Sequence, residues 1–117
     1  MVETHKLLVF LKRRPGMSRE AFRDYYETCH APLCLKYMAG VERYMRRYLE
    51  PAPGMGEMDA DVVTEIWMRD RAALDYVLAT AAQGKLPPDV LEDEYNLFDR
   101  AKSRFCAVIE CETSLPQ

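Results

Sequence analysis

The stretch LLVFLKRRPGMSREAFRDYYETCHAPL, residues 7–33, decides the fold. It opens within a near-continuous apolar run, residues 5–14, and a strand that is apolar on both faces is buried on both faces. The letters PGMS end this strand. Ser18 is a favourable N-cap for a helix, and Met17 with Phe22 can form the hydrophobic staple that accompanies such a cap. The stretch therefore predicts a buried strand, a tight turn and a helix.

The helix is predicted to run from about Arg19 to about Met38, with Gly40 as a natural stop. Pro32 lies inside it. A proline removes one backbone donor and here frees the carbonyl of Thr28. We therefore expect a kink or a break near His30.

The rest of the chain predicts three more strands and two more helices, of which the longer is capped by Asp70. The order is β-α-β-β-α-(α)-β, which is typical of a ferredoxin-like, split β-α-β unit. The predicted class is α+β with a four-stranded antiparallel sheet, formed as a single domain over residues 1–117. The predicted elements are strands at Val41–Glu50, Asp61–Met68 and Arg104–Glu112, and helices at residues 71–83 and 89–99.

Both faces of the first strand are apolar, but a ferredoxin-like unit has helices on only one face of its sheet. A second copy, packed sheet against sheet, is the simplest cover for the other face. We therefore expect a homodimer that forms a dimeric α/β barrel. Glu65 and Trp67 share a strand face, and an ion pair of Glu65 across the interface would explain this acid as well as a buried functional role.

Composition excludes several classes of function. The chain has 117 residues and a net charge of -3, and its isoelectric point is near 5.4. A nucleic-acid-binding protein usually has a strongly basic patch, so no nucleic-acid partner is expected. No apolar run reaches the roughly 18 residues of a membrane span. The first charged cluster follows the apolar run rather than preceding it, unlike in a signal peptide, so we expect a cytoplasmic protein.

The four cysteines form two pairs with the spacing C-x4-C: Cys29 with Cys34, and Cys106 with Cys111. Five residues correspond to about 140° on a helix and to opposite faces of a strand. This spacing suits neither a zinc site nor a redox pair, and we interpret all four as buried free thiols.

A helical wheel places His30 at one edge of the core-facing stripe of the first helix. A structural interpretation gives His30 a hydrogen bond to the backbone carbonyl that Pro32 frees. A functional interpretation places it in a cavity between helix and sheet, where an imidazole near its ordinary pKa moves protons. The stripe contains Phe22, Tyr26, Cys29, His30, Leu33 and Tyr37.

The other polar candidates are weaker. His5 begins the first strand on the face of Leu7, Val9 and Leu11, where a strand-end histidine is more often exposed than functional. Five tyrosines are interpreted as core aromatics whose hydroxyls reach the rim of the core. They are Tyr26, Tyr37, Tyr44, Tyr76 and Tyr95. No phosphate loop, nucleophile elbow, dinucleotide fingerprint or metal-ligand cluster is found, so no metal or cofactor is expected.

The sequence resembles the EthD-type family of dimeric α/β-barrel proteins over nearly its whole length. Residues 7–33 are similar to the family's opening, which is a strand, Arg-x-Pro-Gly, Ser, then Phe-x-x-Tyr followed by Tyr or Trp, and His followed by Ala or Gly and Pro-Leu. GVERYMRRYLEP is similar to its second strand and TEIWM, before Asp70, to its third. DEYNLFDRAKSRFCAVIECE is similar to the C-terminal part of the family's pattern.

This resemblance implies a pocket between each sheet and its own helices. Similar cofactor-independent members are isomerases, cyclases, dehydratases or oxygenases of small carbonyl and phenolic compounds. In similar lactone isomerases a helix-one histidine and a strand-two tyrosine line the pocket, which corresponds to His30 and Tyr44. In similar polyketide cyclases a histidine opens strand one, as His5 does, but their second, late histidine is missing. Ile66 stands where a lactone isomerase has cysteine.

We therefore predict an enzyme that acts on a small hydrophobic carbonyl or phenolic compound by proton transfer, with His30 and Tyr44 as its catalytic residues. The alternative is a non-catalytic dimer that binds such a compound or assists a partner enzyme. The third alternative is a haem-handling protein. The residues predicted to contact the ligand are His5, Leu7, Val9, Phe22, Tyr26, Leu33, Ile66, Tyr76, Tyr95 and Phe98.

Overall fold

The computed structural model describes residues 4–117, so the first three residues of the predicted domain lie outside the described part. Four strands and four α-helical segments follow one another in the order β-α-α-β-β-α-α-β, an α+β arrangement compatible with a ferredoxin-like fold. The elements are β1 (Lys6–Leu11), α1 (Arg19–Tyr25), a π-helical turn (Tyr26–His30), α2 (Ala31–Cys34), a 3-10 turn (Leu35–Tyr37), β2 (Val41–Tyr48), β3 (Val62–Met68), α3 (Arg71–Ala82), α4 (Pro88–Glu94), a second 3-10 turn (Arg100–Lys102) and β4 (Arg104–Ala107).

The sheet has the order β2-β3-β1-β4, and all its neighbouring strands are antiparallel. Side chains alternate between two faces along each strand. Leu7, Val9 and Leu11 of β1 are buried beneath the helices. Leu8 and Phe10 point to the opposite face and are only half-buried.

The first helical segment begins as the sequence predicts. Ser18 accepts a hydrogen bond from the backbone N–H of Ala21 at 3.1 Å, which satisfies one of the free donors of the first turn. The helix does not break at Pro32. Its path widens into the π-helical turn, where the N–H of Ala31 donates to the carbonyl of Tyr26. One extra residue is absorbed there, and helical geometry continues to Tyr37.

The second half of the chain also follows local signals at its helix starts. Asp70 accepts a hydrogen bond from the N–H of Ala73 at 2.8 Å and caps α3. Pro88 occupies the first turn of α4, where a proline loses no helical hydrogen bond. The predicted helix at 89–99 was too long, because the chain turns after Glu94 and residue Phe98 forms a bridge with Arg13.

The predicted fourth strand was also too long. It was expected to reach Glu112 but ends at Ala107, which pairs with Leu7 of β1. The ladder with β1 ends at this pair, and residues 108–117 form no regular element.

The cysteine prediction was half wrong. All four thiols are free, but Cys29 and Cys111 are exposed and Cys34 and Cys106 are half-buried. Cys29 lies on the outer side of the π-helical turn, and Cys111 lies past the end of β4.

An aromatic cluster joins the helical layer to the sheet. Phe22 packs edge-on against Tyr26, Tyr48 and Phe98, with ring centroids 6.3, 6.3 and 5.9 Å away. Such contacts add to the energy of burial itself. Phe22 is 1% exposed and lies at the centre of the cluster.

We predict that Phe22→Ala lowers the free energy of unfolding by about 3–5 kcal/mol, because it leaves a cavity among three rings. Urea denaturation followed by circular dichroism measures the change. Tyr76→Ala is the control, because Tyr76 is 73% exposed. An equal loss in the two variants would contradict a core centred on Phe22.

Candidate functional site

A cavity of about 480 Å³ lies between the helix-facing side of the sheet and the helices. This volume is within the range of small-molecule pockets. Leu7, Val9, Ile66 and Phe105 give the sheet side an apolar surface. The exposed side chains of Tyr37, Tyr76 and Lys85 mark the side on which the cavity opens to solvent.

His30 lies in the cavity lining at the end of the π-helical turn and is 3% exposed. Its Nδ1 atom is 2.8 Å from Oδ2 of Asp93, which follows it by 63 positions in the chain. A carboxylate only accepts hydrogen bonds, so Nδ1 carries the proton and Nε2 has the free lone pair. Nε2 has no hydrogen-bond partner among residues 4–117.

The same contacts determine the charge of His30. Burial lowers the pKa of His30, and the hydrogen bond and negative charge of Asp93 oppose this shift only in part. The pKa therefore lies below its ordinary value of about 6.5. His30 is a neutral imidazole at physiological pH, with the tautomer of a base whose Nε2 accepts protons.

Three donors hold the Asp93 carboxylate. The Tyr25 hydroxyl donates to Oδ1, and Asn96 Nδ2 lies 3.3 Å from the same oxygen. Burial alone would raise the pKa of Asp93, but the hydrogen bonds from Tyr25, His30 and Asn96 outweigh it and hold the pKa below its ordinary value. Asp93 is therefore an anion that orients the His30 ring.

Two tyrosines supply hydroxyl groups to the cavity. Tyr26 shares a hydrogen bond of 2.6 Å with Thr64, and its ring packs edge-on against that of His30 at 5.3 Å. Burial raises the pKa of Tyr26 to about 12. Burial likewise raises the pKa of Tyr44, with further contributions from Tyr26 and Cys34. Both phenols keep their protons at neutral pH and can donate hydrogen bonds.

An ion pair with two contacts lies beside Tyr44. The guanidinium of Arg46 is 4.6 Å from the centre of the Tyr44 ring, and its Nε and Nη2 contact Glu27 at 2.9 and 2.6 Å. Tyr48 donates to Glu27 as well, at 2.6 Å. Bidentate pairs of this kind fix geometry as well as charge. Arg46 therefore restricts the orientation of Tyr44 through contact with its ring.

One further carboxyl lines the cavity. Glu94 is buried, and its Oε1 is 3.3 Å from Nε of Arg100. Burial raises the pKa of Glu94, Arg100 lowers it and Asp93 raises it, and the result is above the ordinary value.

The structure brings eight of the twelve predicted site residues to this cavity, and their roles there stay predictions. Thr64 and Met68 share the helix-facing side of β3 with Ile66, whereas Glu65 and Trp67 point to the other side. The eight residues are Leu7, Val9, Tyr26, His30, Tyr44, Ile66, Tyr76 and Phe98.

The other four predicted residues do not line the cavity. His5 lies just before β1 and is not part of the cavity lining, and Phe22 is enclosed in the aromatic cluster. The chain turns outward after α4, so that Tyr95 is 67% exposed against Arg100. Leu33 is replaced by Cys34 because the wheel assumed a uniform rotation per residue, which the π-helical turn does not have.

Sequence reasoning missed two acids of the site: Asp93, which bonds to His30, and Glu94, which lines the cavity. Asp93 and Glu94 lie in the segment that resembles the close of the family pattern, but no role was assigned to either. The available signal was their position in the predicted short helix. Glu94 precedes the buried Leu97 and Phe98 by three and four residues, so it shares their face.

The described residues, 4–117, contain no group of three or more metal-ligating side chains. In the same part of the chain, the helices are all too short or too polar to cross a membrane.

Fold and cavity together define an α+β protein with a ligand-sized space between an antiparallel sheet and its helices. The chain belongs to the EthD domain family, which matches residues 14–101. It is similar in structure to an ethyl tert-butyl ether D (EthD) family protein from Bacillus halodurans C-125, with a TM-score of 0.59 and 22% identity over 93% of this chain and 100% of that one. No curated protein matches the chain at a significant level.

We predict that Asp93→Asn lowers the pKa of His30 further, because the negative charge that favours the imidazolium is removed. A pH titration of the imidazole signals by nuclear magnetic resonance measures it. Asp89→Asn is the matched control, because Asp89 is bound to Lys36 and Tyr37 instead. An unchanged or higher pKa in the Asp93 variant would show that Asp93 does not stabilise the protonated ring.

Proposed function

We propose that this protein is a cofactor-independent enzyme that moves a proton on a small hydrophobic carbonyl or phenolic compound bound in the cavity. The observation that supports this most is the His30–Asp93 pair in an apolar cavity. A neutral histidine with a fixed tautomer is the usual general base of enzymes.

In the proposed reaction, Nε2 of His30 removes a proton from the carbon next to a carbonyl. The negative charge that develops on the carbonyl oxygen requires a hydrogen-bond donor. Tyr44 supplies it, with Tyr26 as a second donor when its hydroxyl turns from Thr64. Asp93 stabilises the imidazolium that forms on His30.

The apolar lining strengthens these interactions. Charges interact more strongly where water is excluded, and the lining contains few polar groups besides the tyrosines, His30 and Glu94. Arg46 holds Tyr44 from the side, so the donor is oriented before the ligand arrives. No step of this mechanism uses a metal or a cofactor.

The second candidate is a non-catalytic protein that binds a hydrophobic compound or delivers it to a partner enzyme. The observation in its favour is the apolar, pre-formed cavity, which can retain such a compound without chemistry. A ligand that is recovered chemically unchanged after prolonged incubation would favour this candidate.

We also propose that the protein is a homodimer formed through the open face of the sheet. Leu8, Phe10 and Val63 form an apolar centre on this face. The rim has both charges, including Lys6 and Arg43 around Trp67, at 4.5 and 4.7 Å from its ring. A face with an apolar centre and both charges at its rim complements a second copy of itself in a two-fold dimer.

We predict that the protein accelerates exchange of the α-hydrogens of 4-phenylbutan-2-one for deuterium, as followed by proton nuclear magnetic resonance. His30→Gln lowers the rate by roughly 10²–10⁴-fold, because the base is lost. Tyr44→Phe lowers it by about 10²-fold. In the wild type the rate increases as pH rises through the lowered pKa of His30, because the neutral form is the base.

The matched controls for this assay are His5→Gln and Tyr95→Phe, which make the same chemical changes outside the cavity lining. Both should leave the exchange rate unchanged. If the wild type binds the ketone without exchange, the enzymatic proposal is wrong and the binding function is favoured.

We predict that light scattering during size-exclusion chromatography gives twice the chain mass of 13.6 kDa at micromolar concentration. Phe10→Glu should give a monomer, because it places a charge in the apolar centre of the face. Leu35→Glu, on the helical side of the molecule where Leu35 is already exposed, should remain a dimer. A monomeric wild type would contradict the proposed assembly.

A further inference from the structure

Glu94 is a buried carboxyl that the proposed proton abstraction does not use. It is the last residue of α4 and directly follows Asp93, the partner of His30. Its side chain lines the same cavity as His30. A carboxyl group at the end of α4 and an imidazole in the π-helical turn therefore line the same ligand space.

The surroundings of Glu94 suit an acid that gives up its proton and recovers it. Arg100 lies 3.3 Å away, with its guanidinium over the Tyr95 ring at 4.7 Å, and is not part of the cavity lining. Burial favours the neutral acid and raises its pKa, whereas Arg100 favours the carboxylate. The other charged or titratable groups near Glu94 are Asp93 and Cys34.

We propose that Glu94 is a second catalytic residue, and that the site removes water from a β-hydroxy carbonyl compound. This inference rests on the proposed role of His30 as the base. Loss of a hydroxyl group requires an acid at the leaving oxygen, because hydroxide is a poor leaving group. An isomerisation, in contrast, needs only one base that removes a proton and returns it.

The proposed step balances as follows. Nε2 of His30 takes the α-proton, and the electron pair of that C–H bond forms the new C=C bond. The C–O bond to the β-hydroxyl breaks, and its oxygen takes the proton of the Glu94 carboxyl and leaves as water. The imidazolium of His30 then returns a proton to the Glu94 carboxylate through water, and both residues regain their starting forms.

Two probes separate the base from the acid. The first is 4-phenylbutan-2-one, whose α-hydrogen exchange needs the base alone. The second is 4-hydroxy-4-phenylbutan-2-one, whose conversion to the conjugated enone is followed by ultraviolet absorbance and needs both groups. The measured quantity is the ratio of the enzymatic rate of water loss to that of exchange, from which the contribution of His30 cancels.

Glu94→Gln should lower this ratio by roughly 100-fold, because the amide keeps the shape but cannot supply the proton. Glu92→Gln, the same change at an exposed position of α4, should leave the ratio unchanged. In the wild type the ratio should fall as pH rises past the pKa of Glu94, since the acid form is then lost. This last measurement needs no variant and therefore does not depend on the folding of one.

Three outcomes would overturn the inference. Exchange without loss of water in the wild type, or a ratio unchanged by Glu94→Gln and independent of pH, would remove Glu94 from the reaction and leave the role of His30 standing. Absence of exchange in the wild type would overturn the proposed function, and this inference would fall with it.

Discussion

The structure depends on one imbalance: the sheet has two faces, and the helices of residues 4–117 cover only one of them. β1 is apolar on both sides, with Leu7, Val9 and Leu11 towards the helices and Leu8 and Phe10 towards the open face. Burial of apolar surface is the main favourable term in folding, so an uncovered central strand is costly. The helical layer buries the apolar side chains of the covered face. The apolar side chains of the open face are the physical basis for proposing a second copy.

The covered face is not filled completely, and this incomplete packing creates the site. At the aromatic cluster around Phe22 the helical layer contacts the sheet directly, through the ring of Tyr48. Towards the other end they leave the cavity that His30 enters from the π-helical turn. Burying an imidazole that makes no hydrogen bond costs free energy. The hydrogen bond to Asp93 reduces this cost for His30 and also fixes its tautomer. The same hydrogen bond therefore contributes to both stability and chemistry.

Local signals in the sequence were sufficient for most of the fold. Ser18 and Asp70 mark helix starts, because each accepts a hydrogen bond from the backbone N–H three residues later. The alternation of β3 divides its side chains between two faces, but only the packed structure shows that the face of Thr64, Ile66 and Met68 meets the cavity. The His30–Asp93 contact spans 63 positions, and no local pattern indicates such a pairing. The end of β4 is likewise not marked by a local pattern, because its pairing partner β1 is a neighbour in space only.

The π-helical turn has a consequence for how such a site arises in evolution. It absorbs one additional residue, while the segments before and after it keep their packing against the sheet. A single codon inserted or deleted at this point therefore changes which side chain faces the cavity without requiring a new core. Proteins that share this fold can therefore gain or lose a histidine at this position by a small genetic change. Relatives with the same fold can thus differ in their chemistry.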